Sequence, residues 1–312
     1  MKNLLHSRAF SLQLLFIFIA LLISSEVKRA YCQPKKVLSS QRSFKVKVTG
    51  RGQPMILIPG LASAGEVWDG TIARYETNYE CHVLTLAGFA GEAPVSKTAF
   101  IETVRNDLAQ YIRDKKLQKP VIVGHSLGGF TALWLASVEP DLVGPLVIVD
   151  ALPFFPAAIN PNATIETMKP QAEAMRKMMT VAQTPEQRQR SQKMYLQSLT
   201  TLVTDPANLE LIGKWGANSD PGTIAQAMYE MNTTDLRPDL ARIKAPTLVV
   251  GSWAGYRQFA TREQIEKVFR NQYAKLSDFQ LVMSENGKHF VMYDDPETLF
   301  KAMDNFLLKQ KK

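Results

Sequence analysis

The segment Val121-Ile122-Val123-Gly124-His125-Ser126-Leu127-Gly128-Gly129 constrains this chain more than any other stretch, because three local rules meet in it. β-prone residues lead in, glycines stand two positions before and after Ser126, and an apolar run from Phe130 to Ser137 follows. That pattern describes a strand turning sharply into a helix, with a serine at the apex. In so crowded a backbone a side chain two residues from the apex collides, so Gly124 and Gly128 are required. The hydroxyl then stands clear of the strand ends, beside a helix N-terminus whose free N–H groups and dipole favour an oxyanion. Ser126 is therefore the candidate nucleophile.

The sequence around this turn alternates two patterns. Short continuous apolar runs, each suited to a strand buried on both faces, occur at Met55–Ile58, His82–Leu86, Leu146–Val149, Thr247–Gly251 and Phe279–Met283, while Phe44–Val48 alternates apolar and charged residues like an edge strand. Between them Phe100–Asp114, Arg262–Phe269 and Pro296–Leu308 carry apolar residues at helical spacing. Strands alternating with helices imply a mostly parallel, doubly wound α/β sheet. From 151 to 243 the strand runs vanish and methionine-rich helical spacing takes over, which predicts an inserted helical cap between core segments 33–150 and 244–312. With 312 residues and 46% hydrophobic composition the chain can bury such a core.

The first 32 residues differ from the rest. Lys2 and Arg8 precede an apolar run of about 14 residues, Phe10 to Ile23, followed by Ser24-Ser25 and then Ala30-Tyr31-Cys32. This reads as a secretory signal peptide, short for a bilayer span, with export to the periplasm or medium as the expectation and an uncleaved membrane anchor as the alternative. Cys81 is the one other cysteine, so a cut after Cys32 leaves no intramolecular disulfide, whereas an earlier cut leaves a Cys32–Cys81 bridge open. The net charge of +8 comes from scattered basic residues, clustered only at Lys309–Lys312, which argues for solvated surface and against a nucleic-acid site. No metal-ligand spacing or phosphate-binding glycine loop is present, so no cofactor is expected.

Four stretches together resemble the α/β-hydrolase fold family over roughly 44–150 and 241–308: Gly124-His125-Ser126-Leu127-Gly128, Pro59-Gly60-Leu61 with Trp68 downstream, Ala245-Pro246-Thr247-Leu248-Val249-Val250-Gly251, and Gly287-Lys288-His289-Phe290. The resemblance implies a base on the histidine after the last strand. Of the four histidines, His6 lies in the leader, His82 opens a strand and His125 flanks the serine, packed beneath the turn, which also leaves His289. The family's commonest acid position, the loop after Thr247–Gly251, reads Ser252-Trp253-Ala254-Gly255-Tyr256 and holds no carboxylate. Some members place the acid at the end of the strand after the elbow, where Asp150 stands; the bland alternative is that Asp150 only terminates that strand, with Asp235 and Asp278 as reserves. The resemblance further implies an oxyanion hole from the backbone N–H groups of Leu61 and Leu127, although Pro59 stands where relatives often have histidine.

Phe154, Phe155, Met168, Met175, Met178, Met179, Tyr195 and Trp215 of the cap either line an apolar acyl pocket or form cap core, and Trp253 and Tyr256 are further pocket candidates. The expectation is a serine hydrolase that cleaves a small or moderately apolar carboxylic ester through an acyl-enzyme. The same fold also supports C–C bond and amide hydrolysis and cofactor-free perhydrolysis, and a ligand-binding protein without turnover is the rival from another class.

Overall fold

The computed structural model describes residues 42–95, 98–181 and 184–310. The expected leader and Cys32 lie outside these residues.

Seven strands form one sheet in the order β1-β3-β2-β4-β5-β6-β7: β1 (Phe44–Gly50), β2 (Gln53–Ile58), β3 (Tyr79–Leu86), β4 (Val121–His125), β5 (Leu146–Val149), β6 (Thr247–Ser252) and β7 (Phe279–Ser284). Only β1 runs antiparallel, paired to β3 at the edge; every other pairing is parallel. The helices are α1 (Asp69–Tyr75), α2 (Phe100–Asp114), α3 (Leu127–Val138), α4 (Pro156–Ile159), α5 (Ile165–Thr180), α6 (Pro185–Leu199), α7 (Pro206–Ala217), α8 (Pro221–Thr233), α9 (Arg262–Gln272), α10 (Val291–Asp294) and α11 (Pro296–Lys309).

The continuous apolar runs become strands buried on both faces because alternate side chains feed two separate cores. Ile56, Ile58, Ile122, Ile148 and Val249 join the core under α2, α3 and α9, through Leu108, Leu133 and Phe269 among others. Met55, Leu57, Val123, Val147 and Val250 point the other way and meet Ile72 of α1 and Leu299, Met303 and Phe306 of α11. Both faces being covered, the open edge of chemistry is the C-terminal end of the parallel strands.

Between β5 and β6 the chain inserts α4 to α8, as the change of pattern at 151 predicts. Their starts follow helix-capping chemistry closely. Thr164 with Thr167 and Thr184 with Gln187 make reciprocal capping boxes, and Asp205 and Asp220 accept backbone N–H groups of the first turn ahead of Pro206 and Pro221. The insertion is fastened to the sheet layer by Glu230 of α8, whose carboxylate accepts from Phe100 N (2.5 Å) and Ile101 N (2.8 Å) at the start of α2. No described helix is long and apolar enough to cross a membrane.

Candidate active site

The turn after β4 has the conformation its glycines imply. Ser126 adopts φ 52° and ψ −118°, a strained combination for a non-glycine residue, and α3 starts immediately after it. A Cβ on Gly124 would lie 2.4 Å from Gly128 O, and one on Gly128 would lie 2.3 Å from Ile58 O. Neither position tolerates a side chain, so the strand-to-helix packing that lifts Ser126 into the open depends on both. Ser126 N donates to Val149 O at 3.0 Å, which ties the apex to the end of the neighbouring strand.

Asp150 follows that strand end with φ 44°, a left-handed conformation that aspartate tolerates better than most residues. Its side chain is almost fully buried and both oxygens are engaged: Ser252 N donates to Oδ1 at 2.8 Å, and His289 Nδ1–H donates to Oδ2 at 2.7 Å. A buried carboxylate without partners would cost several kcal/mol, of order 3–5; this one has a cationizable partner and a main-chain donor. Of the two sequence readings, a terminator of β5 or a partner of His289, the structure places Asp150 in the second geometry. The other two carboxylates are elsewhere. Asp235 is taken by Arg237 in a two-pronged pair, and Asp278 is exposed at the N-terminal end of β7, away from the strand ends that carry the site.

His289 sits after β7 in a loop braced from inside. Ser284 Oγ donates to Asp295 Oδ2 at 2.6 Å and accepts from Gly287 N at 2.8 Å, and a Cβ on Gly287 would lie 2.5 Å from that hydroxyl. With Nδ1 committed to Asp150, Nε2 is the ring nitrogen left for the serine, and Ser126, Asp150 and His289 line one cavity. His125 lies fully buried beneath the turn, as the sequence suggests. Its Nε2–H donates to the carbonyl of His289 at 2.9 Å and its ring lies 4.6 Å from the His289 ring. Burial first, then the proximity of His289, holds its pKa well below the ordinary histidine value, so it is a neutral spacer under the site. His82 is distant and bonded to Tyr111 and Glu80.

The Gly60–Leu61 loop presses on the same turn: a Cβ on Gly60 would lie 3.2 Å from Ser126 Cβ and 2.8 Å from His125 Nδ1. Neither Leu61 N nor Leu127 N has a hydrogen-bond partner among the described residues. Among the described residues two unpartnered main-chain N–H groups thus lie near the Ser126 turn, in the loop after β2 and at the first residue of α3.

The cavity measures about 130 Å³ and its wall is predominantly apolar. The two alternatives that the sequence leaves open for the cap side chains divide here. Phe155, Tyr195 and Tyr256 do line it, but Met168, Met175, Met178, Met179, Phe154, Trp215 and Trp253 do not. Met175 and Met179 pack into the core above α2 and α3, Trp215 joins the opposite core, Phe154 and Met168 form a small cluster of their own, and Met178 is exposed. Met231 is the methionine at the wall, with Leu199, Leu202 and Ile212 from the insertion and Ile265 and Phe269 from α9, none of which sequence reasoning singled out as pocket residues. No lysine or arginine lines the cavity. Burial, reinforced by the charge of Asp150, pushes the phenols of Tyr256 at the wall and Tyr273 in the core up, so both remain neutral hydroxyls. No group of three or more His, Cys, Asp or Glu side chains among the described residues could hold a metal ion.

A largely parallel seven-stranded sheet, a serine on a strained turn after β4 and a histidine–carboxylate pair at the adjoining strand ends define a hydrolase of the α/β class. The chain belongs to the alpha/beta hydrolase family, whose sequence profile matches residues 55–302. It is 28% identical over 230 residues to the sn-1-specific diacylglycerol lipase ABHD11 of Mus musculus, covering 70% of this chain and 68% of that protein. It is 32% identical over 114 residues to the pimeloyl-(acyl-carrier protein) methyl ester esterase of Vibrio atlanticus (strain LGP32), a match that spans 36% of this chain and less than half (42%) of that relative. Among solved structures, an esterase (EaEST) from Exiguobacterium antarcticum superposes with a TM-score of 0.68 at 17% identity, over 85% of this chain and 95% of that one, a likeness of fold.

Proposed function

We propose that the protein hydrolyses a carboxylic ester by way of an acyl-enzyme. The observation that carries this reading is the 2.7 Å pair between His289 Nδ1 and Asp150, opening with Ser126 onto one apolar cavity. His289 Nε2 takes the proton of Ser126 Oγ as the oxygen attacks the ester carbonyl carbon, and Asp150 stabilises the imidazolium that results. The carbonyl oxygen becomes an oxyanion that the N–H groups of Leu61 and Leu127 are free to bind. Collapse expels the alcohol, which leaves with the proton from His289. A water then repeats the sequence on the acyl group, with His289 again as base.

The substrate class follows from the wall. With Asp150 as the buried charge and no cation to hold an anionic substrate, the cavity suits an uncharged ester with a short apolar acyl group. Esters are also what the names of the lipase and the methyl ester esterase above specify, which supports ester over amide or C–C cleavage. The insertion acts as the cap in this scheme, since Phe155, Tyr195, Leu199, Leu202, Ile212 and Met231 come from it. Export through the leader at 1–32 is part of the same proposal and is tested by the N-terminal sequence of the mature protein.

Fluorophosphonate labelling tests the chemistry. The wild type takes up one equivalent, Ser126→Ala takes up none, and p-nitrophenyl esters are turned over with a preference for short uncharged acyl chains. An unlabelled wild type that still binds apolar ligands would instead establish a binding protein on this fold.

A further inference from the structure

The loop carrying His289 is bonded to the insertion on both sides of the histidine. Lys288 Nζ donates to Thr200 O at 2.6 Å and Val203 O at 3.3 Å, and Phe290 N donates to Leu202 O at 3.0 Å. Asp294 bridges the two segments, its Oδ1 accepting from Thr204 N at 2.9 Å and its Oδ2 from Lys288 N at 3.2 Å. Thr200–Thr204 is the stretch just past the end of α6, where unpaired carbonyls and the negative end of the helix dipole favour a cation. Lys288 answers that need. From the third side Gly255 backs onto the stretch, since a Cβ there would lie 2.6 Å from Thr201 O.

The same stretch forms cavity wall. Leu202 lies within it and Leu199 just before it, and both line the cavity onto which Ser126 opens. Leu202 thus offers its side chain to the acyl group while its carbonyl holds the residue after His289.

We propose that Lys288 and Asp294 are positioning residues that join His289 and the acyl wall into one unit, so that an acyl chain long enough to press on Leu199 and Leu202 also fixes the imidazole over Ser126. The proposal rests on His289 being the base of the reaction proposed above. Small displacements of a base are costly, about 10²-fold for 1 Å, so a loosened tie shows in turnover before it shows in binding.

The test uses the full-length protein and the variants Lys288→Met, which keeps the stem and removes the donors, and Asp294→Asn, which can accept only one of the two N–H groups. For p-nitrophenyl hexanoate kcat is expected to fall about tenfold with KM within about twofold, whereas for the acetate, which offers the wall a single methyl group, kcat falls less than about threefold. The fluorophosphonate reaction rate should fall in step with the hexanoate, and Lys288→Arg should restore it. If Lys288→Met does not fold, Asp294→Asn gives the same readout, because its remaining bond keeps the stretch docked. Equal losses for both esters, a change in KM alone, or rates within twofold of wild type would overturn the proposal. A wild type that takes up no fluorophosphonate would sink the reading of Ser126 and His289, a result distinct from all three.

Discussion

The sheet and the insertion solve opposite problems with the same chain. In β4 every residue is buried, and the strand's neighbours on both faces leave no room for change. In α5, sixteen residues long, only Ala172 and Met179 are buried, and the helix stands by its capping box and its packing on α8. Ser126, His289 and Asp150 all sit on strand ends or the loops just beyond them, whereas the insertion adds cavity walls. Chemistry held by the rigid layer and fit supplied by the looser one is a division that lets substrate choice vary without disturbing the reacting groups.

The largest expected effect belongs wholly to the sheet side. Ser126→Ala removes the attacking oxygen and little volume, and should cut kcat for a p-nitrophenyl ester by about 10⁵ to 10⁶ while leaving the melting temperature near wild type. Residual turnover above about a hundredth would mean another nucleophile. Asp150→Asn should follow at about 10³ to 10⁴. The amide can still accept from Ser252 N, but its NH₂ faces His289 Nδ1 and forces the proton onto Nε2, the nitrogen that must be free. A loss below tenfold with KM unchanged would reduce Asp150 to a strand terminator.

Stability gives the next contrast. Leu133 is fully buried beneath the sheet and Met178 is half exposed on the insertion. Leu133→Ala should cost about 2–5 kcal/mol, and Met178→Ala less than about 0.5 kcal/mol. Urea melts of the two variants measure the difference directly. Similar losses would mean that the insertion is as tightly integrated as the sheet.

What the sequence made legible divides along the same line. The strands were readable because burial on both faces leaves a continuous apolar run, and Ser126 because Gly124 and Gly128 have no steric alternative. That His289 and Asp150 meet, at 2.7 Å, was legible through the family resemblance, which implies a base on the histidine after the last strand and, in some members, an acid at the end of the strand after the turn, where a carboxylate ends an otherwise apolar run. The cavity wall was not. In the insertion, helical spacing shows which residues are apolar but not which of two buried directions each one takes, so Met175 and Met231, equally plausible in sequence, end up in the core and at the wall. The anchoring of Asp150 by Ser252 and the ties at Thr200–Thr204 use main-chain atoms, which every residue has and which therefore leave no mark in composition.

The smallest effect concerns acid. His82 on β3 and His125 on β4 both have pKa values lowered chiefly by burial, and residues 151–243 contain no histidine. A histidine whose folded pKa is depressed binds its proton in the unfolded chain first. The stability it permits is therefore full above about pH 6.5 and is lost as pH falls below that value, by up to about 1.4 kcal/mol per pH unit for each such group. Urea melts between pH 7.5 and 5.5 should show this slope, and His125→Asn, which cannot take up that proton in either state, should make it shallower by up to one proton's worth. Hydrogen exchange adds the regional test: protection in β3 and β4 should weaken with acid through global opening, while local opening of α5 and α6 stays level across the same range. A slope that survives His125→Asn undiminished would show that the acid sensitivity lies outside the buried histidine beneath the serine.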